Sequence, residues 1–123
     1  EAVCLIDFQG MRAGLAGYDV ASLLYDPYVT MTDDERAEMA AFYARLTGRC
    51  DEREWGEELR ACARQRLMQA LGAYGFLGRV KGLRHFLSHI PVAAERLAAL
   101  CDKEQPLLPL ARAVREAAIP QRP

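Results

Sequence analysis

The chain has 123 residues, 51% of them hydrophobic, and a formal charge of −1 from 16 basic and 17 acidic residues. A chain of this size buries about two-thirds of its unfolded surface, so one folded domain over residues 1–123 is expected rather than disorder. The balanced charge argues against a nucleic-acid partner, and no apolar run approaches the roughly 18 residues of a membrane span.

Ala2 to Phe8 is apolar without alternation, which predicts a short, fully buried strand or one arm of a hairpin. Glu1, not Met, leads straight into it, and this abrupt start is the mark expected of a cut end. A lone strand is unstable in water, so its edge invites strand addition or pairing with a second copy of the chain. Gln9 to Gly17 then reads as loop, and Tyr18 to Tyr25 as a helix with Asp19 near its positive end and Pro27 beyond it.

Thr32-Asp33-Asp34-Glu35 is a capping box, which predicts a helix from Asp33 to about Leu46 that stops at Gly48. Asp51 with Glu54 opens a long helix whose apolar positions include Leu59, Cys62, Leu67, Leu71 and Tyr74. Gly72, Gly75 and Gly78 follow at intervals of three; they either weaken that helix or admit a neighbouring backbone. A short helix is expected over Leu83 to His89. Pro91 suits the first turn of the next, with Val92, Leu97 and Leu100 on its apolar side. After a break from Asp102 to Pro106, a last helix spans about Leu108 to Ala118, and the Pro120–Pro123 tail is expected to fray. The fold class is therefore mainly α, with one short N-terminal strand or hairpin.

Cys4, Cys50, Cys62 and Cys101 form no zinc-like or disulfide-dense spacing; they read as reduced packing residues of a cytoplasmic protein with no visible signal peptide. His85 and His89 stand four apart, a spacing that would share a helix face, but no third ligand lies nearby and a polar surface pair is expected. Trp55, Tyr74 and Phe76 suit a core or the flanks of a sugar ring. Arg79, Lys81 and Arg84 form a small basic cluster that reads as a solvated face or a contact for a phosphate or carboxylate.

Asp7 is the sharpest candidate for chemistry. A carboxylate at the end of a buried strand can ligate Mg²⁺, a hard ion that takes one or two carboxylates plus phosphate oxygens and water; it can equally cap the following turn. Asp19 suits either a buried acid that accepts loop N–H groups or a plain helix-terminal charge.

Ile6-Asp7-Phe8-Gln9, Gly14 and Tyr18-Asp19-Val20-Ala21-Ser22-Leu23-Leu24 resemble the second half of the aminoglycoside phosphotransferase and choline kinase-like superfamily, where an Ile-Asp-Phe segment plays the part of a kinase Asp-Phe-Gly. The continuation Ser22 to Tyr28, with Gln65-Arg66-Leu67 to Gly72, Phe86-Leu87 and Ile90-Pro91, is similar to the bacterial kinases that phosphorylate N-acetylmuramate and N-acetylglucosamine at the anomeric position.

The resemblance implies the helical C-terminal lobe of a protein-kinase-like fold, with a strand and metal loop over 1–17 and a helical subdomain over 18–119. It implies ATP and Mg²⁺ as cofactors, Asp7 on the metal, Asp19 as the buried support of the catalytic loop, and Asp26 and Tyr28 toward a sugar acceptor. Gly10 departs from the acidic or polar residue common in relatives. The H-x-D-x-x-x-x-N loop and the nucleotide lobe precede this segment in relatives and are not in this sequence, so the chain alone is expected to be inactive. The competing expectation is a non-catalytic helical binding or dimerisation module.

Overall fold

The computed structural model describes residues 13–118, and among these the architecture is mainly helical with no strand. The expected strand over Ala2 to Phe8 lies outside the described residues. Five α-helices follow one another: α1 (Ala16–Leu24), α2 (Asp33–Thr47), α3 (Glu52–Gly75), α4 (Ile90–Cys101) and α5 (Leu108–Ala118).

The longest of them, α3, is the spine. Its 24 residues extend about 36 Å at the usual α-helical rise. It packs α1 and α4 along its length, and α4 in turn packs α5. Leu24, Leu67, Leu97 and Cys101 are the largest fully enclosed side chains. Around them Ala21, Ala63, Ala93, Ala98 and Ala111 are wholly buried, so these helices meet with little side-chain bulk between their backbones.

Local signals account for both ends of α2 and for the start of α3. Thr32 Oγ1 accepts from Glu35 N–H at 3.2 Å while Glu35 Oε2 accepts from Thr32 N–H at 2.7 Å, the reciprocal pair predicted from the sequence. Gly48 closes α2 in the left-handed region (φ 69°), where a side chain would be strained. Asp51 Oδ1 caps α3 by accepting from Glu54 N–H at 2.9 Å.

One start differs from expectation. The first helix begins at Ala16, not Tyr18, because its free amide is satisfied from a distance: Glu58 Oε1 of α3 accepts from Gly17 N–H at 2.9 Å. A methyl group at Gly17 would stand 2.7 Å from that same oxygen, so only glycine admits the carboxylate. The other oxygen of Glu58 pairs with Arg49 at 2.9 Å, and the Arg49 guanidinium lies 4.7 Å from the Trp55 ring centroid.

Helix α2 sits at the edge of the bundle. It reaches α3 through Tyr43, stacked on Trp55 with centroids 5.4 Å apart, and through Trp55 Nε1–H donating to the Ala40 carbonyl at 3.1 Å.

The glycine series does not break α3, which stays helical through Gly75 and then opens into a wide π turn over Phe76–Val80. Only Gly78 of the three is closely approached, by the Leu87 side chain. A 3₁₀ turn, Arg84–His89, leads into α4. In a 3₁₀ turn residues four apart point roughly 120° from each other, so His85 and His89 do not share a face as they would on an α-helix. His85 lies against Phe86 and His89 against Tyr28.

On the far side, Arg115 donates to Glu95 and Asp102 and clips α5 to α4. Arg64 pairs with Glu104 at 2.5 Å. Cys62 and Cys101 are buried packing residues whose thiols are pushed up in pKa by burial, while Cys50 is exposed.

Candidate functional site

Asp26 and Tyr28 fall in a turn just after α1, and the structure joins them to residues distant in sequence. Tyr28 N–H donates to Asp26 Oδ1 at 2.9 Å, and Val29 N–H donates to the Asp26 carbonyl at 3.0 Å. The turn is locked from α4: Arg96 donates to the carbonyls of Asp26 (2.6 Å) and Val29 (2.9 Å). Burial, reinforced by the nearby Arg36 guanidinium, draws the Arg96 pKa below the usual arginine value. The second oxygen of Asp26 lies 3.6 Å from Arg66 of α3.

Beside this ion pair the rings converge. Tyr28 stands edge-on to His89 with centroids 4.2 Å apart and to Tyr74 at 5.9 Å. Tyr74 stacks on Phe86 at 6.1 Å. Tyr28 is 54% exposed, whereas Tyr74 beneath it is 5% exposed. The result is an open aromatic shelf flanked by a carboxylate and a guanidinium, held by α1, α3 and α4. Such a surface can stack the apolar face of a sugar ring while Asp26 accepts from its hydroxyl groups.

The Tyr74 phenol is pushed up to about 12, chiefly by burial, with Tyr28 and Asp26 adding to the effect. Its folded pKa exceeds the unfolded value of about 10, so the fold favours the neutral form. That contribution is complete below pH ~10 and is lost as pH rises toward ~12, and two pKa units correspond to about 2–3 kcal/mol. Urea unfolding across this window should therefore show a loss of stability in the wild type that Tyr74→Phe reduces. Equal losses in both proteins would exclude this role for the phenol.

The other sequence candidates are placed differently. Asp19 lies in the first turn of α1, where it suits the helix dipole, but it is exposed. Glu58, not Asp19, serves the amide of Gly17; the catalytic loop that Asp19 would support is not in this sequence, so that role remains an expectation from the resemblance. Asp7 lies outside the described residues. Trp55 and Tyr74 are buried in separate aromatic groups, and Phe76 is exposed, so the three do not flank one ring site. Among the described residues no group of three His, Cys, Asp or Glu side chains stands together as a metal site.

Arg66, His89 and Arg96 were the members that sequence reasoning did not assign to this site. No family model, curated protein or solved structure matches the chain. No helix among the described residues is long and apolar enough to cross a membrane.

Proposed function

We propose that this chain is the helical, acceptor-side part of an ATP-dependent small-molecule phosphotransferase that acts on a hydroxyl group of a sugar or amino sugar. The observation that carries the reading is the Asp26–Tyr28–Arg66–Tyr74–His89 cluster, which surrounds the two residues that the sequence resemblance directs toward the acceptor. Tyr28 supplies the shelf, Asp26 accepts from sugar hydroxyls, Arg66 fixes the carboxylate, and Arg96 holds the turn in place.

ATP and Mg²⁺ enter through the resemblance. The proposed ligand, Asp7, is outside the described residues, and among those described no three His, Cys, Asp or Glu side chains stand together as a metal group, so no step is routed through the ion. A cytoplasmic location accompanies this reading.

The test has two arms. Isothermal titration of the chain with N-acetylated amino sugars is expected to show binding that Tyr28→Ala removes. In the full protein, Asp7→Ala is expected to abolish ATP-dependent sugar phosphorylation without changing the melting temperature. Near-normal turnover in that variant would sink the metal assignment, and sugar binding unchanged by Tyr28→Ala would sink the acceptor site.

A second reading, a non-catalytic binding or dimerisation module, is favoured by the exposed stripe Met39, Phe42 and Leu46 on α2. ATP-independent sugar binding with no turnover in the full protein would favour it.

A further inference from the structure

Charge is divided along this chain. From Leu59 to Ala94 there is no Asp or Glu, and every charged residue is basic. Of these, Arg64 and Arg66 have acidic partners, whereas Arg79, Lys81 and Arg84 are exposed with no ion pair among the described residues.

The unpaired cations are mixed with apolar side chains. Phe76 is 50% and Val80 69% exposed, and Leu83 is exposed beside them. The π turn makes this a single projection. Lys81 N–H donates to the Phe76 carbonyl at 3.1 Å, so residues four and five along the chain return to the side of Phe76. The Lys81 ammonium stands 5.6 Å from the Phe76 ring centroid.

A surface of the opposite character lies at the start of α2. An open groove of about 260 Å³ is lined by Thr30, Met31, Glu35, Glu38 and Met39. It is smaller than the roughly 300–1,000 Å³ of a small-molecule pocket, a size that suits one inserted side chain. Methionines adapt their shape and make favourable contacts with aromatic edges. Hydrogen bonds from the Thr32 amide and hydroxyl hold the Glu35 carboxyl below its ordinary pKa, so it is charged at neutral pH. Glu38 has no basic partner among the described residues.

We propose that the Phe76–Lys81 projection of one molecule docks in the Met31–Met39 groove of a second copy. Phe76 enters between the methionines, and Lys81 and Arg79 face Glu38 and Glu35. A second copy is the occupant that fits, because one chain carries both halves of the match: a basic apolar projection and an acidic apolar groove of side-chain size. The two surfaces are different, so the contact is head-to-tail and builds rings or open chains rather than a two-fold dimer. It involves neither the Ala2–Phe8 segment nor the aromatic shelf, and it stands independently of the phosphotransferase reading.

Sedimentation equilibrium over a wide concentration range tests this directly. The wild type is expected to rise above monomer mass with concentration and to fall back toward it in high salt. Lys81→Glu and Glu38→Lys, both at exposed positions, are each expected to weaken association by at least about tenfold, because like charges then face each other. Circular dichroism checks that both remain folded.

Mixed in equal amounts, the two variants should associate again, since the acidic projection of the first meets the basic groove of the second. The basic projection of the second likewise meets the unaltered acidic groove of the first, so both junctions between unlike variants are complementary and the mixture should build alternating chains or rings, as the wild type does. A wild type that is monomeric throughout, variants that associate undiminished, or folded variants whose mixture stays monomeric would each overturn the proposal. Binding of the wild type to anionic vesicles or to polyglutamate, with no self-association, would equally overturn it and assign the projection to that partner.

Discussion

Leu67→Ala is expected to lower the unfolding free energy by about 3 kcal/mol, the middle of the range for a leucine truncated in a core. Leu67 has no exposed surface and sits on α3, the helix that packs both α1 and α4. Its neighbours include alanines with no freedom to lengthen into the gap, so the cavity cannot collapse easily. For a domain of this size the melting temperature should fall by roughly 10–15 °C. Leu46→Ala is the matched comparison, because Leu46 is largely exposed on α2 and its loss should cost within about 0.5 kcal/mol. Similar losses in the two variants would mean that α3 is not the centre of the core.

Arg96→Met is expected to cost about 2 kcal/mol and to disorganise the aromatic shelf as well. The substitution keeps an apolar stem but removes both hydrogen bonds to the Asp26 and Val29 carbonyls, which are then without these donors. Among the described residues Arg96 stacks on no ring of the shelf; its effect passes through the turn that carries Tyr28. Nuclear Overhauser contacts between the Tyr28 and His89 rings should weaken in the variant, and under the proposed function affinity for the sugar should fall more than tenfold, in the range of about 1.4 kcal/mol or above. Ring contacts that persist unchanged would show that Asp26 and its own amide bonds suffice to hold the turn.

The ease with which each part of this structure reads from the sequence follows the range of the interactions that make it. Helix α2 is legible because Thr32 and Glu35 satisfy each other's amides and Gly48 ends the helix, all within the helix and its two flanks. Asp51 announces α3 in the same way. The early start of α1 is not legible, since its amide partner, Glu58, arrives from α3. The π turn is equally hidden, because a run of glycines and apolar residues does not specify how wide the turn will be.

The site was half visible. Asp26 and Tyr28 are neighbours in the chain, and the sequence pattern drew attention to both. Tyr74 keeps the spacing of a core residue, which it also is, so nothing in its position reveals that its ring floors a shelf. Arg66 and Arg96 look like ordinary helix-surface cations until the fold shows what they reach. Asp19 shows the reach of a local signal: its place in the first turn of α1 is readable from the sequence, whereas Glu58, the carboxylate that serves the Gly17 amide, is not.

The Trp55 pairing gives the molecule an internal optical gauge. The chain has one tryptophan, and its indole is clamped between Tyr43 of α2 and the Arg49 guanidinium, with its N–H on an α2 carbonyl. Emission from that ring therefore reports whether the peripheral helix is seated, and it does so without a label. Since α2 touches the rest of the bundle over so little of its length, its departure and the melting of the α3–α4–α5 core are separable events in one unfolding trace, the first read by fluorescence and the second by helical signal.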